Sequence, residues 1–218
     1  MISPKGLLVF DLDGTLVDSS RDLATATNEA LRRVAPGRPP IPLDMIRSFV
    51  GDGARVLIQR SLDHAGVDRP VDDVLPVFLE CYGRCLLDTT DLYPGIRGAL
   101  EALDGPTLAV LTNKPGAFSR TILDGLRVAS LFARVWGAGD VPARKPDPSG
   151  LRGLVEELGM LPEKTWMIGD SPVDARTARA AGVRIAGVTW GLHPEGLRRE
   201  APDRLIDHPG EIATLITE

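Results

Sequence analysis

Cysteine, histidine and long apolar runs are all scarce in this sequence. The two cysteines, Cys81 and Cys85, lie four positions apart in a segment with helical periodicity, without the further ligands that a zinc site needs, so we interpret them as small buried apolar residues. The three histidines, His64, His193 and His208, are scattered along the chain, and we expect them to lie in loops or on the surface. Neither residue type predicts a metal centre or a catalytic triad.

Charge and hydropathy exclude other classes of protein. The apolar runs are far too short for a membrane span, and the first residues lack the apolar core of a signal peptide. A net charge of -5 provides no basic surface for nucleic acid. With 43% apolar and 25% charged residues, the composition is that of a globular protein. We therefore expect a cytoplasmic monomer or homodimer that binds neither membranes nor nucleic acid.

An apolar run near the start of the chain ends abruptly in acidic residues. Residues Leu7–Phe10 read as a buried strand, and the string Asp11-Leu12-Asp13-Gly14-Thr15 follows it. Side chains at positions i and i+2 of an extended chain point the same way, so Asp11 and Asp13 would project together. A metal ion or a shared proton relieves the repulsion between crowded carboxylates. Gly14 lets backbone N–H groups approach a ligand, so the segment predicts a site where a cation holds an anion. The simpler alternative is that the acids cap the next helix.

The chain then divides into a helical part and an alternating part. Residues 18–91 contain no convincing strand, and four segments have helical periodicity: Ser20–Val34, Leu43–Phe49, Ala54–Ala65 and Val71–Leu87. From residue 92 onward, helices alternate with apolar strands, which predicts right-handed crossovers and a doubly wound parallel sheet. We therefore predict an α/β core, residues 1–17 and 92–218, with an all-helical domain inserted at residues 18–91.

Polar residues follow three of the predicted strands. Asp11, Thr112 and Asp170 each come directly after an apolar run, at the edge where open parallel sheets bind ligands. Thr112 and the adjacent Asn113 offer neutral donors for phosphate oxygens, although both residues are also typical of turns. We therefore expect residues far apart in the sequence to meet around one pocket.

Two later segments add charge to this predicted pocket. Lys145 precedes a proline and is therefore excluded from a helix, and its ammonium could neutralise Asp11 and a bound phosphate together, with Arg144 as a rival. Asp170 and Asp174 lie four apart at the start of a predicted helix, where capping explains one carboxylate but not both. The spare carboxylate suits a hard divalent cation such as Mg2+.

Taken together, these segments resemble the four motifs of the haloacid dehalogenase superfamily. The helical segment is similar to that superfamily's cap, which closes over a Rossmann-like core. Further strings resemble the phosphoglycolate phosphatases of the superfamily: Phe49-Val50-Gly51-Asp52-Gly53-Ala54-Arg55 with Arg60, Leu92-Tyr93-Pro94-Gly95 and Leu111-Thr112-Asn113-Lys114-Pro115.

The resemblance implies a Mg2+-dependent phosphatase that acts in two steps on a small phosphorylated metabolite. Asp11 would be the nucleophile and Asp13 the general acid and base, which binds the metal through its backbone carbonyl. The other implied roles are charge stabilisation by Lys145, metal binding by Asp11 and Asp170, orientation of these ligands by Asp174, and phosphate or substrate binding by Gly14, Thr112, Asn113, Gly53 and Arg55 or Arg60.

Other functions stay open on the sequence. A β-phosphoglucomutase-like enzyme or a pyrophosphatase would differ mainly in the helical cap. A phospho-accepting signalling domain or an inactive scaffold is the rival from another class, but neither explains Asp13 or a large cap. The superfamily's phosphonate hydrolases need a cap lysine, and residues 18–91 contain none. Its dehalogenases lack the Asp13-Gly14-Thr15 string.

Overall fold

The apolar run near the start of the chain forms an interior strand of a six-stranded parallel sheet, in a computed structural model that describes residues 6–216. The six strands are β1 Leu7–Phe10, β4 Thr107–Pro115, β5 Arg134–Ala138, β6 Thr165–Gly169, β7 Arg184–Val188 and β8 Arg204–Ile206. They are ordered β5-β4-β1-β6-β7-β8, and every neighbouring pair is parallel. The predicted α/β fold is confirmed.

Helices cover both faces of this sheet. Side chains that alternate along β1 enter two separate apolar clusters, Leu8 and Phe10 in one, Leu7 and Val9 in the other. The core helices are α5 Ile96–Glu101, α6 Gly116–Gly125, α7 Ser149–Glu157, α8 Pro172–Ala181 and α9 Pro194–Arg199. The described part of the chain ends in a 3-10 helix over Pro209–Ile216.

Four helices lie in the chain between strands β1 and β4, and we call Ser20–Arg84 the helical insertion. They are α1 Ser20–Val34, α2 Leu43–Phe49, α3 Ala54–Ala65 and α4 Val71–Arg84. Their apolar side chains belong to the same cluster as Leu8 and Phe10, so the insertion shares the core of one sheet face. Helix α4 ends at Arg84, before the predicted Leu87. Cys81 and Cys85 are buried, as expected from the sequence.

The chain enters and leaves the helical insertion through a short antiparallel pair. Strand β2, Val17–Asp18, pairs with β3, Asp91–Leu92, where the sequence indicated no strand. Near this pair the buried carboxylate of Asp22 accepts hydrogen bonds from the N–H and O–H groups of both Thr89 and Thr90. Burial alone would raise the pKa of Asp22, but these hydrogen bonds outweigh burial and lower it. Within residues 6–216, no helix combines the length and apolar character needed to cross a membrane.

Candidate active site

The predicted polar residues meet at the carboxyl edge of the sheet because β1 lies between β4 and β6. Phe10, the last residue of β1, is in register with Val110 and Ile168. Asp11 therefore emerges between Thr112 and Asp170. Strand β4 extends past the predicted end at Leu111, with a register irregularity between Leu111 and Pro115.

Asp11 is a buried carboxylate paired with a buried lysine. Its Oδ1 atom lies 2.9 Å from Nζ of Lys145, which also lies 2.6 Å from Oδ1 of Asp174. Arg144, the rival to Lys145, is exposed. Burial raises the pKa of Asp11 from 3.8 to about 6, although Lys145 opposes the rise. Burial would lower the pKa of Lys145, but the charges of Asp11 and Asp174 outweigh it and raise that pKa.

Three carboxylates form a cluster that suits a divalent cation. Oxygen atoms of Asp11, Asp170 and Asp174 lie within 4.8 Å of one another, and all three residues are buried. Burial and the two neighbouring acids raise the pKa of Asp170 well above its ordinary value. A hard cation with oxygen ligands would relieve this repulsion, so the residues fit Mg2+.

The members of this acid cluster differ in how their oxygen atoms are used. Both oxygens of Asp174 are occupied, Oδ1 by Lys145 and Oδ2 by the hydroxyl of Ser171 at 2.6 Å. Asp170 accepts main-chain hydrogen bonds on Oδ2 from Leu192 at 2.6 Å and His193 at 3.3 Å. Asp174 is the third residue of α8 and part of its capping box, whereas Asp170 precedes the helix, so only one of the two acids takes part in capping.

Two glycines allow backbone to pass close to Asp170. Gly14 has a φ of +87°, and a Cβ atom there would lie 2.4 Å from Oδ2 of Asp170. A Cβ atom on Gly191 would lie 2.2 Å from Cβ of Asp170 and 2.5 Å from the main-chain oxygen of Gly14. Gly191 was not predicted from the sequence. Its position shortly after β7, at the same edge of the sheet, is the feature that indicates a role in the site.

A second buried lysine holds Asp13. The Nζ atom of Lys114 lies 2.8 and 3.1 Å from the two carboxylate oxygens of Asp13, and the hydroxyl of Ser19 also donates to this carboxylate. Burial would lower the pKa of Lys114, but the charge of Asp13 outweighs it and raises that pKa. No role was predicted for Lys114 from the sequence. It lies two residues after Thr112 in an extended segment, so the two side chains point the same way, which indicates a place in the pocket.

A pocket lies between this edge and the helical insertion. The core side contributes Asp11, Asp13, Thr112, Asn113 and Lys114. The insertion contributes the apolar side chains of Leu23, Val50, Leu57, Phe78 and Leu79, the ring of Tyr82 and the backbone of Gly51 and Gly53. Polar groups of the core thus face apolar side chains of the insertion across the pocket.

Asn113 and Thr112, the neutral donors predicted to bind phosphate, differ in the contacts that they make. The side-chain amide of Asn113 donates to the main-chain oxygens of Gly51 at 3.1 Å and Lys145 at 3.0 Å, so it joins the insertion to the core. The Thr112 hydroxyl accepts from the N–H of Lys114 and keeps its own proton for a ligand.

The structure does not bring the predicted arginines of the insertion to the pocket. The guanidinium of Arg55 is exposed and pairs with Asp72. Arg60 pairs with Asp52 at 2.6 Å. Gly53 does line the pocket, with a φ of +92°.

His193 also differs from expectation. It lies in a loop, as predicted, but it is half-buried, and its Nε2 atom contacts the main-chain oxygen of Val50 at 2.7 Å. Its backbone N–H faces Asp170, so one residue touches both the helical insertion and the acid cluster. No spacing in the sequence indicated this contact.

Comparison with known proteins places these features in a family. Residues 8–188 match the haloacid dehalogenase-like hydrolase family. The chain is 38% identical over 209 residues to the phosphoglycolate phosphatase of Pseudomonas putida, covering 92% of this chain and 76% of that protein. It is 36% identical over 220 residues to the phosphoglycolate phosphatase of Colwellia psychrerythraea, covering 97% and 96% of the two chains.

Solved structures agree with this assignment. A crystal structure of a predicted phosphoglycolate phosphatase from Haemophilus somnus is similar to this fold with a TM-score of 0.89 and 33% sequence identity, over 98% of each chain. The matches are to hydrolases, which disfavours the signalling domain and the scaffold considered above.

Proposed function

Because this chain belongs to the haloacid dehalogenase-like hydrolase family, we propose that it is a Mg2+-dependent phosphatase that hydrolyses a small phosphomonoester, phosphoglycolate or a close relative, through a phosphorylated Asp11. The observation that carries the proposal is the buried Asp11, paired with Lys145 and lying beside a second acid, Asp13, in one pocket. The names of the similar proteins supply the substrate.

In the first step, a carboxylate oxygen of Asp11 attacks the phosphorus atom in line with the ester oxygen. A bond forms from this oxygen to phosphorus as the ester bond breaks, and the protonated side chain of Asp13 gives its proton to the leaving alkoxide. Lys145 and the hydroxyl of Thr112 face the charge that develops on the phosphoryl oxygens. Asp174 keeps Lys145 in place.

In the second step, water attacks phosphorus on the opposite side of the Asp11–phosphate bond. Asp13, now a carboxylate, takes a proton from this water, and the carboxylate of Asp11 is restored with release of inorganic phosphate. Lys114 and Ser19 hold Asp13 on the pocket side during both proton transfers.

The acid cluster would hold the metal ion through the carboxylates of Asp11 and Asp170 and the main-chain oxygen of Asp13. A bound Mg2+ supplies positive charge that offsets the repulsion between the phosphate and the carboxylates. Asp174, whose oxygens are occupied, orients this set of ligands.

The helical insertion acts as a cap in this proposal. It forms one wall of the pocket, and the contacts of Asn113 with Gly51 and of His193 with Val50 tie it to the core. We therefore propose that the chain divides into a core, residues 1–17 and 92–218, and a cap, residues 18–91. Closure over the phosphate would exclude water from the first step.

The test is steady-state phosphate release with Mg2+ from phosphoglycolate, sugar phosphates, nucleotides, pyrophosphate and an aryl phosphate. We expect phosphoglycolate to have the highest kcat/KM and Asp11→Asn to lose at least about a thousandfold in kcat. Asp104→Asn is the matched control, because Asp104 is exposed and precedes β4, at the opposite edge of the sheet. Full activity of Asp11→Asn would overturn the mechanism, and preference for pyrophosphate or a sugar phosphate would overturn the substrate.

A further inference from the structure

Two buried polar groups lie together in the pocket beyond Asp13. The Nζ atom of Lys114 lies 4.6 Å from the ring centroid of Tyr82, and the Lys114 side chain is only 3% exposed. The hydroxyl of Tyr82 is buried, lies near Lys114 and Ser19, and has no hydrogen-bond partner of good geometry within residues 6–216. An ammonium has three donors, and the two oxygens of Asp13 account for two of them. The third donor of Lys114 lies towards Tyr82, so the proton of the Tyr82 hydroxyl is the donor left for a ligand, with the charge of Lys114 beside it.

The rest of the insertion wall offers an anion very little. Its side chains at the pocket are apolar, among them Leu57, Phe78 and Leu79. The arginines of α3 pair with acids of the insertion, Arg55 with Asp72 and Arg60 with Asp52, and neither lines the pocket. Burying an anionic group against such a wall costs free energy unless a positively charged partner lies beside it.

We propose that Lys114 and Tyr82 form an anion subsite that selects phosphomonoesters whose leaving group carries a carboxylate. The O–H of Tyr82 donates to one oxygen of that carboxylate, and the ammonium of Lys114 offsets its negative charge. The inference rests on the proposed function and deepens it, because it assigns the part of the site that distinguishes phosphoglycolate from other small phosphate esters.

The position of Asp13 supports this assignment. Asp13 gives its proton to the leaving oxygen, so the leaving group lies beside this carboxylate. Lys114 contacts both oxygens of the same carboxylate, and Tyr82 lies against Lys114. A carboxylate whose oxygens lie three bonds beyond the leaving oxygen would therefore fall next to these two side chains. The phosphoryl group is bound separately, by Lys145 and Thr112.

The experiment compares two substrates that differ only in this charge, phosphoglycolate and 2-hydroxyethyl phosphate. We expect wild type to prefer phosphoglycolate in kcat/KM by about tenfold to a hundredfold, the range for a hydrogen bond to a charged group. Tyr82→Phe keeps the ring and removes only the hydroxyl. We expect it to lower kcat/KM for phosphoglycolate severalfold more than kcat/KM for 2-hydroxyethyl phosphate, mainly through KM.

Lys114→Met is the second variant. It removes the partner of Asp13 as well, so the rate falls for both substrates, and the readout is the ratio of the two kcat/KM values. We expect this ratio to fall close to one. If this variant does not fold, Tyr82→Phe decides the question alone.

The outcomes separate this inference from the proposed function. If wild type hydrolyses both substrates equally well through Asp11, or if Tyr82→Phe affects both substrates alike, the anion subsite is wrong and the phosphatase stands. If wild type releases phosphate from neither compound nor from the wider panel, the proposed function fails and this inference fails with it.

Discussion

The ring of His193 contacts the main-chain oxygen of Val50 at 2.7 Å, while the backbone N–H of the same residue faces Oδ2 of Asp170 at 3.3 Å. The loop after β7 thus holds the helical insertion with one group and the acid cluster with another. Val50 lines the pocket, so the ring of His193 supports the wall that the helical insertion contributes.

Removing this contact should weaken closure. We expect His193→Ala to raise KM by about twofold to tenfold, because one neutral hydrogen bond contributes about 0.5 to 1.5 kcal/mol. His64→Ala is the control, since His64 is an exposed histidine on α3. Steady-state kinetics and limited proteolysis of the insertion measure the effect, and an unchanged KM in His193→Ala would contradict it.

The acid cluster should make stability depend on pH and on metal. Burial raises the pKa of Asp11 to about 6 from 3.8, so folding without metal takes up a proton between about pH 4 and pH 6. The free energy of unfolding of the metal-free protein should therefore fall as pH rises through this window, by on the order of 3 kcal/mol from Asp11 alone. Because Mg2+ offsets the charges, it should raise the Tm more at pH 8 than at pH 5.

Thermal unfolding with Mg2+ or with a chelator tests this prediction. Asp170→Asn removes one charge from the cluster, so its metal-free form should be more stable than wild type at pH 8 and should respond little to Mg2+. An equal gain in Tm at both pH values, or no gain at either, would be evidence against a metal site here.

Gly191 should tolerate no side chain. A Cβ atom there would lie 2.2 Å from Cβ of Asp170, so the loop or the carboxylate must move in Gly191→Ala. Because a displacement of about 1 Å can cost on the order of a hundredfold in rate, we expect kcat/KM to fall by about that factor. Gly98→Ala is the control, since nothing lies within 4 Å of its Cβ position in α5. It should retain activity and gain up to about 1 kcal/mol of stability.

Asp22 should stabilise the base of the helical insertion. Asp22→Asn replaces a carboxylate that accepts from Thr89 and Thr90. We expect a loss of about 1 to 3 kcal/mol at pH 7. The hydrogen bonds lower the pKa of Asp22 in the folded state, so their contribution is present above the unfolded value of 3.8 and is lost as pH falls below it.

Urea unfolding of Asp22→Asn and wild type at pH 7 and pH 3 measures the difference. The gap between the two proteins should narrow at pH 3, which lies below the unfolded pKa of 3.8. Asp124→Asn, at an exposed position in α6, should match wild type at both pH values. A gap that is equal at the two pH values would show that the charge of Asp22 contributes nothing.

Local pattern was enough to predict the sheet, because β1 and β6 are uninterrupted apolar runs and the helices between the strands have clear periodicity. It was also enough to predict that Asp11, Thr112 and Asp170 meet. The carboxyl ends of parallel strands share one edge whatever the details of packing. The hairpin of β2 and β3 escaped detection because two-residue strands leave almost no pattern.

The side-chain partners could not be predicted in the same way. Lys114 lies within strand β4, and Lys145 lies in the loop that follows β5. Only the fold shows that Lys114 pairs with Asp13 and Lys145 with Asp11. Arg55 is suited to an anion by its residue type, but the rotation of α3 about its axis directs it to Asp72. The contact of His193 with Val50 joins residues far apart in the chain.

By itself, therefore, the sequence determined the α/β architecture and the set of acids at one edge, since both follow from periodicity and from where apolar runs end. Only the tertiary structure decided which cation meets which carboxylate, which face of the insertion lines the pocket, and how the loop after β7 closes over Asp170. These depend on helix rotation and on approaches of a few ångströms between distant segments, such as Gly191 against Asp170, and no local pattern encodes them.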